Sequence, residues 1–178
     1  PFTVTLTTDQ RAAVTGATYV TTQLRVGQMV ARREDEYLGQ RHGLIGQETT
    51  GVGGMAKALR TIPVIMQIAR DMGELAAPGA LLVNFTNPAG LVTQALSQYS
   101  PVAAVGVCNV PINAKMDFLK RWQKLSGQTV SPERAELKSL GLNHLSWHTG
   151  FTVDGEDVWP TVLNSVIDDL RTAAKPEW

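Results

Sequence analysis

Leu81-Leu82-Val83-Asn84-Phe85-Thr86-Asn87-Pro88 is the stretch that decides the fold. Leu81-Leu82-Val83 is a short apolar run entered through Pro78-Gly79, and a polar cluster succeeds it at once. The run does not alternate in polarity. As a strand it is buried on both faces, which points to a parallel sheet covered by helices. Asn87-Pro88 then predicts an N-cap and a first-turn proline for a helix with Leu91, Ala95 and Tyr99 on one face and Val92 and Leu96 beside it. Working outward, Tyr19 to Leu24 (YVTTQL) and Val102 to Val107 (VAAVGV) read as further strands, and the chain opens on a strand-like TVTLT. Between them, Met55, Leu59, Ile62, Ile65, Ala69 and Met72 form one helical stripe, which Pro63 should kink or restart after Thr61. Pro111 opens a helix with Ile112, Met116, Leu119 and Trp122 that stops near Gly127. Two more strands are predicted at 140–147 and 149–153, then a helix from Pro160 with Leu163, Ile167 and Leu170 facing in. Strand, helix and strand with short connections make an α/β fold, a doubly wound parallel sheet of about four strands with helices on both faces.

Composition narrows the function. The 178 residues suffice for one good core, and 43% are hydrophobic. Sixteen Lys+Arg balance sixteen Asp+Glu, so no basic field is available for nucleic acid or an anionic membrane surface. No apolar run approaches the ~18 residues of a membrane span. The lone cysteine excludes an internal disulfide framework and fits a reducing, cytoplasmic compartment.

The polar residues just after each strand carry chemistry. Gln23 and Arg25 come after the first, Asn84 to Pro88 after the second, and Cys108-Asn109-Val110-Pro111 after the third. In an open parallel sheet the carboxyl ends of the strands line the binding crevice, so these clusters should converge on one edge. Ordinary turn and capping chemistry is the bland alternative. Cys108 reads either as a packed small hydrophobe or, with His144, as half of a divalent-metal site that substrate oxygens or water complete. His148 is a further candidate for that site, although a turn is expected between it and His144; His42 reads as solvated. Gly46-Gln47-Glu48-Thr49-Thr50-Gly51-Val52-Gly53-Gly54 lacks the Gly-Lys-Ser/Thr ending of a Walker A loop. It reads as a flexible connection that lets backbone come close to a ligand, with Glu48 its ionisable group. Arg32 is either a solvated helix charge or an anion clamp.

Leu24-Arg25-Val26-Gly27, Gly46-Gln47-Glu48-Thr49-Thr50-Gly51, Leu59-Arg60-Thr61-Ile62-Pro63, Asn84-Phe85-Thr86-Asn87-Pro88-Ala89-Gly90, Cys108-Asn109-Val110-Pro111 and Gly141-Leu142-Asn143-His144 occur in this order. Together they resemble the family 4 glycoside hydrolases, most of all the 6-phospho-β-glucosidase branch, where Asn rather than Asp or His follows the cysteine. The resemblance implies an exception to the two-carboxylate scheme. Oxidation at sugar C3 by NAD⁺ and polarisation by a divalent metal, usually Mn²⁺, acidify the C2 proton. A tyrosine base removes it, the C1–O1 bond breaks by elimination, and water addition and reduction complete the cycle. It implies Cys108 and His144 as metal ligands, and Arg32, Asn87 and Asn109 as substrate contacts. Gln23 and Arg25 fall on the cofactor, and Glu48 on a position that tunes the base.

The same resemblance implies a middle fragment. The family's glycine-rich NAD fingerprint would precede Pro1, and its catalytic tyrosine would lie beyond Trp178. Residues 1–138 then form the C-terminal part of a Rossmann-like NAD-binding domain, and 139–178 begin the substrate-binding α+β domain. Gln28 stands where the family has the second glycine of Arg-Val-Gly-Gly, and Gln40-Arg41-His42 also departs from the family pattern. The expected partners are a phospho-sugar and a second copy of the chain, with no nucleic acid and no membrane. The fragment alone is expected to be inactive. Two alternatives stay open: a lactate/malate-like dehydrogenase, since Asn87-Pro88 after a strand also resembles those enzymes, and a non-catalytic phospho-sugar-binding module.

Overall fold

The computed structural model describes residues 2–142 and 144–173. The chain divides into two compact units, Pro1–Cys108 and Asn109–Trp178.

The first unit is built on three parallel strands, β1 (Tyr19–Thr22), β2 (Leu81–Asn84) and β3 (Ala103–Gly106), in the order β1-β2-β3. Their register sets Val20, Leu82 and Ala104 in one row and Thr22, Asn84 and Gly106 in the next. On that face α3 (Gly51–Leu75) and α4 (Ala89–Tyr99) supply Ile65, Ile68, Ala69 and Met72, and Val92 and Leu96, to a core around Leu82. A short α1 (Gln10–Val14) is started by Asp9, whose Oδ1 accepts from the N–H groups of Arg11 and Ala12. It is held to α3 through Asp71, which accepts from Gln10 and Arg11. The remaining helix, α2 (Gln28–Gln40), packs along α3.

Two expectations are corrected. Among the described residues the sheet has three strands, because Phe2 to Thr7 forms no strand and pairs with none. Helices cover one face only: on the other, Tyr19 is 70% exposed and Val105 42%. Chirality explains this. Both crossovers step in the same direction along the sheet, and right-handed crossovers that do so put their helices on the same side. The reversal of direction that makes a sheet doubly wound lies outside these three parallel strands, which form the expected half of a Rossmann-like sheet.

The α3 stripe is also rotated in its first half. Met55 and Leu59 are exposed, and the buried residues there are Gly53, Gly54, Lys57, Ala58 and Thr61. Pro63 lies inside one continuous helix rather than restarting it. The carbonyl whose bond Pro63 forgoes belongs to Leu59, an exposed residue open to water. Helix α4 begins at Ala89 with Pro88, not Asn87, at its N-cap, because Pro88 is still extended with ψ 107°.

In the second unit α5 (Val110–Ser126) starts with Pro111 in its first turn and ends on Gly127 in the left-handed region, as its residues predict. An antiparallel sheet follows, β4 (Ala135–Leu142), β5 (Leu145–Val153) and β6 (Glu156–Asp157), and then α6 (Trp159–Thr172). Leu119, Phe151, Val153, Val158 and Val162 form its core, with Phe118, Trp122 and Trp159 packed against it. The two strands expected at 140–147 and 149–153 therefore start earlier and turn at a different place. In α6, Val162 is buried and Leu170 exposed, because the helix presents a different stripe from the one predicted.

Candidate functional site

The carboxyl ends of β1, β2 and β3 lie side by side, since Thr22, Asn84 and Gly106 share a row. The segments carrying Gln23 and Arg25, Phe85 to Asn87, and Val107 and Cys108 leave from this one edge. A buried polar network ties the first two together. Thr22 donates its hydroxyl to Asn84 Oδ1 (3.0 Å), which also accepts from Thr86 N–H (3.1 Å), and Leu24 N–H donates to Thr86 Oγ1 (2.8 Å). Asn84 Nδ2 donates to Thr86 O, and the Asn84 carbonyl accepts from Val107 N–H (2.9 Å). Asn84 and Thr86 are thus architectural: their hydrogen-bonding capacity holds the strand ends. Asn87 is half-buried beyond them, Gln23 is exposed, and Cys108 is half-buried where the first unit closes.

A second cluster stands on the loop before α3. Glu48 Oε2 accepts from Arg25 Nη1 (2.8 Å) and from Lys57 Nζ (2.6 Å), and Arg32 Nε lies 3.6 Å away. Arg32 donates to Glu36 Oε1 at 2.9 Å. Burial by itself raises the Glu48 carboxyl, but hydrogen bonds from Lys57 and Arg25 outweigh it and hold the group below the ordinary carboxylate range. The hydrogen bond to Glu36 raises the Arg32 guanidinium, so Arg32 stays charged.

The glycines of this loop act on the protein's own backbone. A Cβ at Gly53 would meet the carbonyl oxygen of Asp35 at 2.7 Å, and one at Gly54 the Thr49 carbonyl carbon at the same distance. Without side chains there, the 46–50 loop and α2 press onto α3, which seats Glu48 over Lys57. The close approach expected toward a ligand is, at Gly53 and Gly54, an approach of backbone to backbone. Arg60 completes the frame: Nη1 and Nη2 donate to Asp35 (3.1 and 2.6 Å), and Nε donates to the Val26 carbonyl (2.9 Å), fixing the segment that carries Arg25.

The structure thus brings Arg25, Arg32 and Glu48 into one ion-pair cluster. Lys57 belongs to it too, Asp35 and Arg60 form a separate ion pair, and the apolar periodicity passed over all three. The available signal was a lysine four residues after Gly53 and four before Thr61, a charge on a stripe of small residues.

The other candidates lie in the second unit. Asn109 is exposed at the N-cap of α5. His144 is exposed in the β4–β5 turn with φ 58°, a left-handed conformation that His tolerates better than most residues. The turn expected between His144 and His148 is absent, because β5 runs straight through His148. There the His148 ring pairs with Ser139 Oγ at 2.9 Å from Nδ1 and meets Phe118 edge-on at 5.6 Å. Its role is in packing this sheet. His42 is exposed, as expected. Among the described residues, no group of three or more His, Cys, Asp or Glu is placed to hold a metal ion.

Residues 1–124 match the model of the family 4 glycosyl hydrolases. The chain belongs to this family. It is 47% identical over 184 aligned positions to a Bacillus subtilis (strain 168) protein named "Probable 6-phospho-beta-glucosidase", covering 100% of the chain and 40% of that protein. It is 42% identical to a 6-phospho-beta-glucosidase of Escherichia coli (strain K12), covering 90% of the chain and 34% of the relative. The fold superposes on the 6-phospho-beta glucosidase of Thermotoga maritima, solved with manganese, NAD⁺ and glucose-6-phosphate. The TM-score is 0.77 at 36% identity, over 96% of this chain and 40% of that one. This family 4 chain therefore spans 34–40% of the length of these relatives. Among the described residues, no helix is long and apolar enough to cross a membrane.

Proposed function

We propose that this family 4 chain is part of a cytoplasmic, oligomeric hydrolase that cleaves 6-phospho-β-glucosides by NAD-dependent oxidation, elimination, addition and reduction, with a divalent metal. The observation that carries this reading is the 47% and 42% identity to two proteins named 6-phospho-beta-glucosidase, over at least 90% of the chain. In this reading residues 1–138 serve the cofactor and 139–178 begin the substrate-binding part.

The residues fit the groups such chemistry needs. Cys108 and His144 offer one thiol and one imidazole, the donor types that hold a divalent ion. With these two protein donors, a bound ion would leave its remaining positions to substrate oxygens or water, as an open catalytic site requires. Bound NAD and Mn²⁺ would supply hydride acceptance and Lewis-acid polarisation at the sugar ring. The chain's own residues do the rest of the holding. Gln23 and Arg25, at the β1 end, would contact the cofactor. Arg32 contributes a permanent positive charge for the phospho-sugar, while Asn87 and Asn109 offer amide donors and acceptors to its hydroxyls. Asn109 has no acidic proton and cannot act as general acid. Glu48, ionised inside its cation cluster, would orient and tune the tyrosine base that the resemblance implies.

The test is turnover of a chromogenic 6-phospho-β-glucoside by the full-length gene product, with NAD⁺ and Mn²⁺ supplied or withheld. Aglycone release that requires both is expected. Undiminished release in metal-free buffer would reject the reading, and binding of glucose 6-phosphate without any turnover would favour a non-catalytic module.

A further inference from the structure

We propose that Lys57 is a positioning residue: its buried ammonium pins Oε2 of Glu48 and keeps that carboxylate seated when a ligand draws Arg25 and Arg32 away. The inference rests on the functional reading above and extends it to a residue outside the family resemblance.

The charge on position 57 needs an explanation, because stability does not demand it. Lys57 is 2% exposed and sits on the α3 stripe with Gly53, Ala58 and Thr61. A buried ion pair loses to water much of what it gains from its partner, and a well-packed apolar residue at the same place is often as stable or more so. A lysine there is therefore better explained by what it does to Glu48 than by what it does for the fold.

The three cations are not equivalent. Arg25 and Arg32 keep 37% and 35% of their side chains exposed, whereas Glu48 keeps 14% and Lys57 2%. An anionic ligand can therefore reach the two guanidiniums but not the ammonium. Counting Arg25, Arg32 and Lys57 against Glu48 and Glu36, the cluster carries one positive charge in excess, so an arriving phosphate is attracted to it. If ligand binding redirects Arg25 or Arg32, Glu48 still has a partner 2.6 Å away. All three cationic contacts fall on Oε2, so Oε1 is the oxygen that Lys57 holds ready without engaging it. Gly53 and Gly54 make this possible by letting the 46–50 loop lie on the helix.

The test compares wild type, Lys57→Met and Lys57→Arg. In the full-length enzyme, Lys57→Met should lower kcat by about tenfold to a hundredfold, the range that misplacing a catalytic group produces. KM for the phospho-glucoside should stay within about threefold, and the acid limb of the pH profile should move up. Lys57→Arg, which keeps the charge, should recover most of kcat and return the limb. Separately, carbon-13 NMR of the Glu48 carboxyl in this chain should show its titration moving up in Lys57→Met and not in Lys57→Arg. An unchanged Glu48 titration in Lys57→Met overturns the proposal. So does a Lys57→Arg enzyme that stays folded and titrates normally at Glu48 yet remains as slow as Lys57→Met. If wild type turns over no phospho-glucoside, the functional reading fails, and the NMR experiment still decides whether Lys57 controls Glu48.

Discussion

Arg60 grips Asp35 with both ends of its guanidinium while donating its third nitrogen to the carbonyl of Val26. One side chain on α3 thereby fixes both α2 and the segment that precedes it. Asp35 is 5% exposed, so removing its partner leaves a nearly buried charge uncompensated. Arg60→Ala should cost about 3 kcal/mol of stability, and Arg60→Lys should recover only part, since an ammonium cannot reproduce the fork. Urea unfolding measures it; a loss below ~1 kcal/mol for Arg60→Ala would refute the clamp.

The Glu48 cluster makes the first unit sensitive to acid. Its folded carboxyl titrates below the ordinary range, so the unfolded chain binds the proton more readily. The stabilisation is therefore complete above the unfolded value, ~4.3 for a glutamate, and is lost as pH falls through the lower folded value. Thermal melts should show midpoints falling below about pH 4, and Glu48→Gln should flatten that slope. A Glu48→Gln chain with the wild-type slope would show that the acid response arises elsewhere.

Glycines on two helices should respond oppositely to alanine. A Cβ at Gly53 meets backbone of α2 that cannot move aside, so Gly53→Ala should destabilise by ~1–3 kcal/mol. At Gly90, in the first turn of α4, a Cβ meets open space, and Gly90→Ala should stabilise by up to ~0.5–1 kcal/mol. Equal effects at the two sites would contradict the packing described.

Gln28 occupies a left-handed conformation, φ 57°, at the position where the family resemblance implies a glycine. An L residue there is strained by roughly 1–2 kcal/mol, and part of that is offset by the greater freedom of glycine in the unfolded chain. Gln28→Gly should raise stability by about 0.5–1 kcal/mol. A lower denaturation midpoint would mean that the Gln28 side chain makes up for its own strain.

In the full-length protein, Cys108→Ser should leave the fold intact and weaken Mn²⁺ binding at least tenfold, because a direct ligand matters more than the ~10–100-fold typical of outer partners. Electron paramagnetic resonance titration of free Mn²⁺ reads this directly. Wild-type affinity in Cys108→Ser would remove the thiolate from the metal site.

Local chemistry was legible in the sequence wherever one segment sufficed to determine it. The β2 run at Leu81, the helix that Pro111 opens and Gly127 ends, and the polar residues at the end of each strand all lie where their residues predict. The family, too, could be read from ordered short segments. Tertiary structure decided what depends on residues far apart in the chain. Which side of α3 is buried near Lys57 could not be read from apolar spacing, because backbone of the 46–50 loop and α2, rather than the sheet, covers it. The one-sided cover of the sheet followed from the direction of two crossovers, a property no single segment carries. The pairs Lys57–Glu48 and Arg60–Asp35 likewise formed only when packing excluded water. Charges that look solvated along a helix are then obliged to find partners, and which partner each finds is a matter of geometry across the fold.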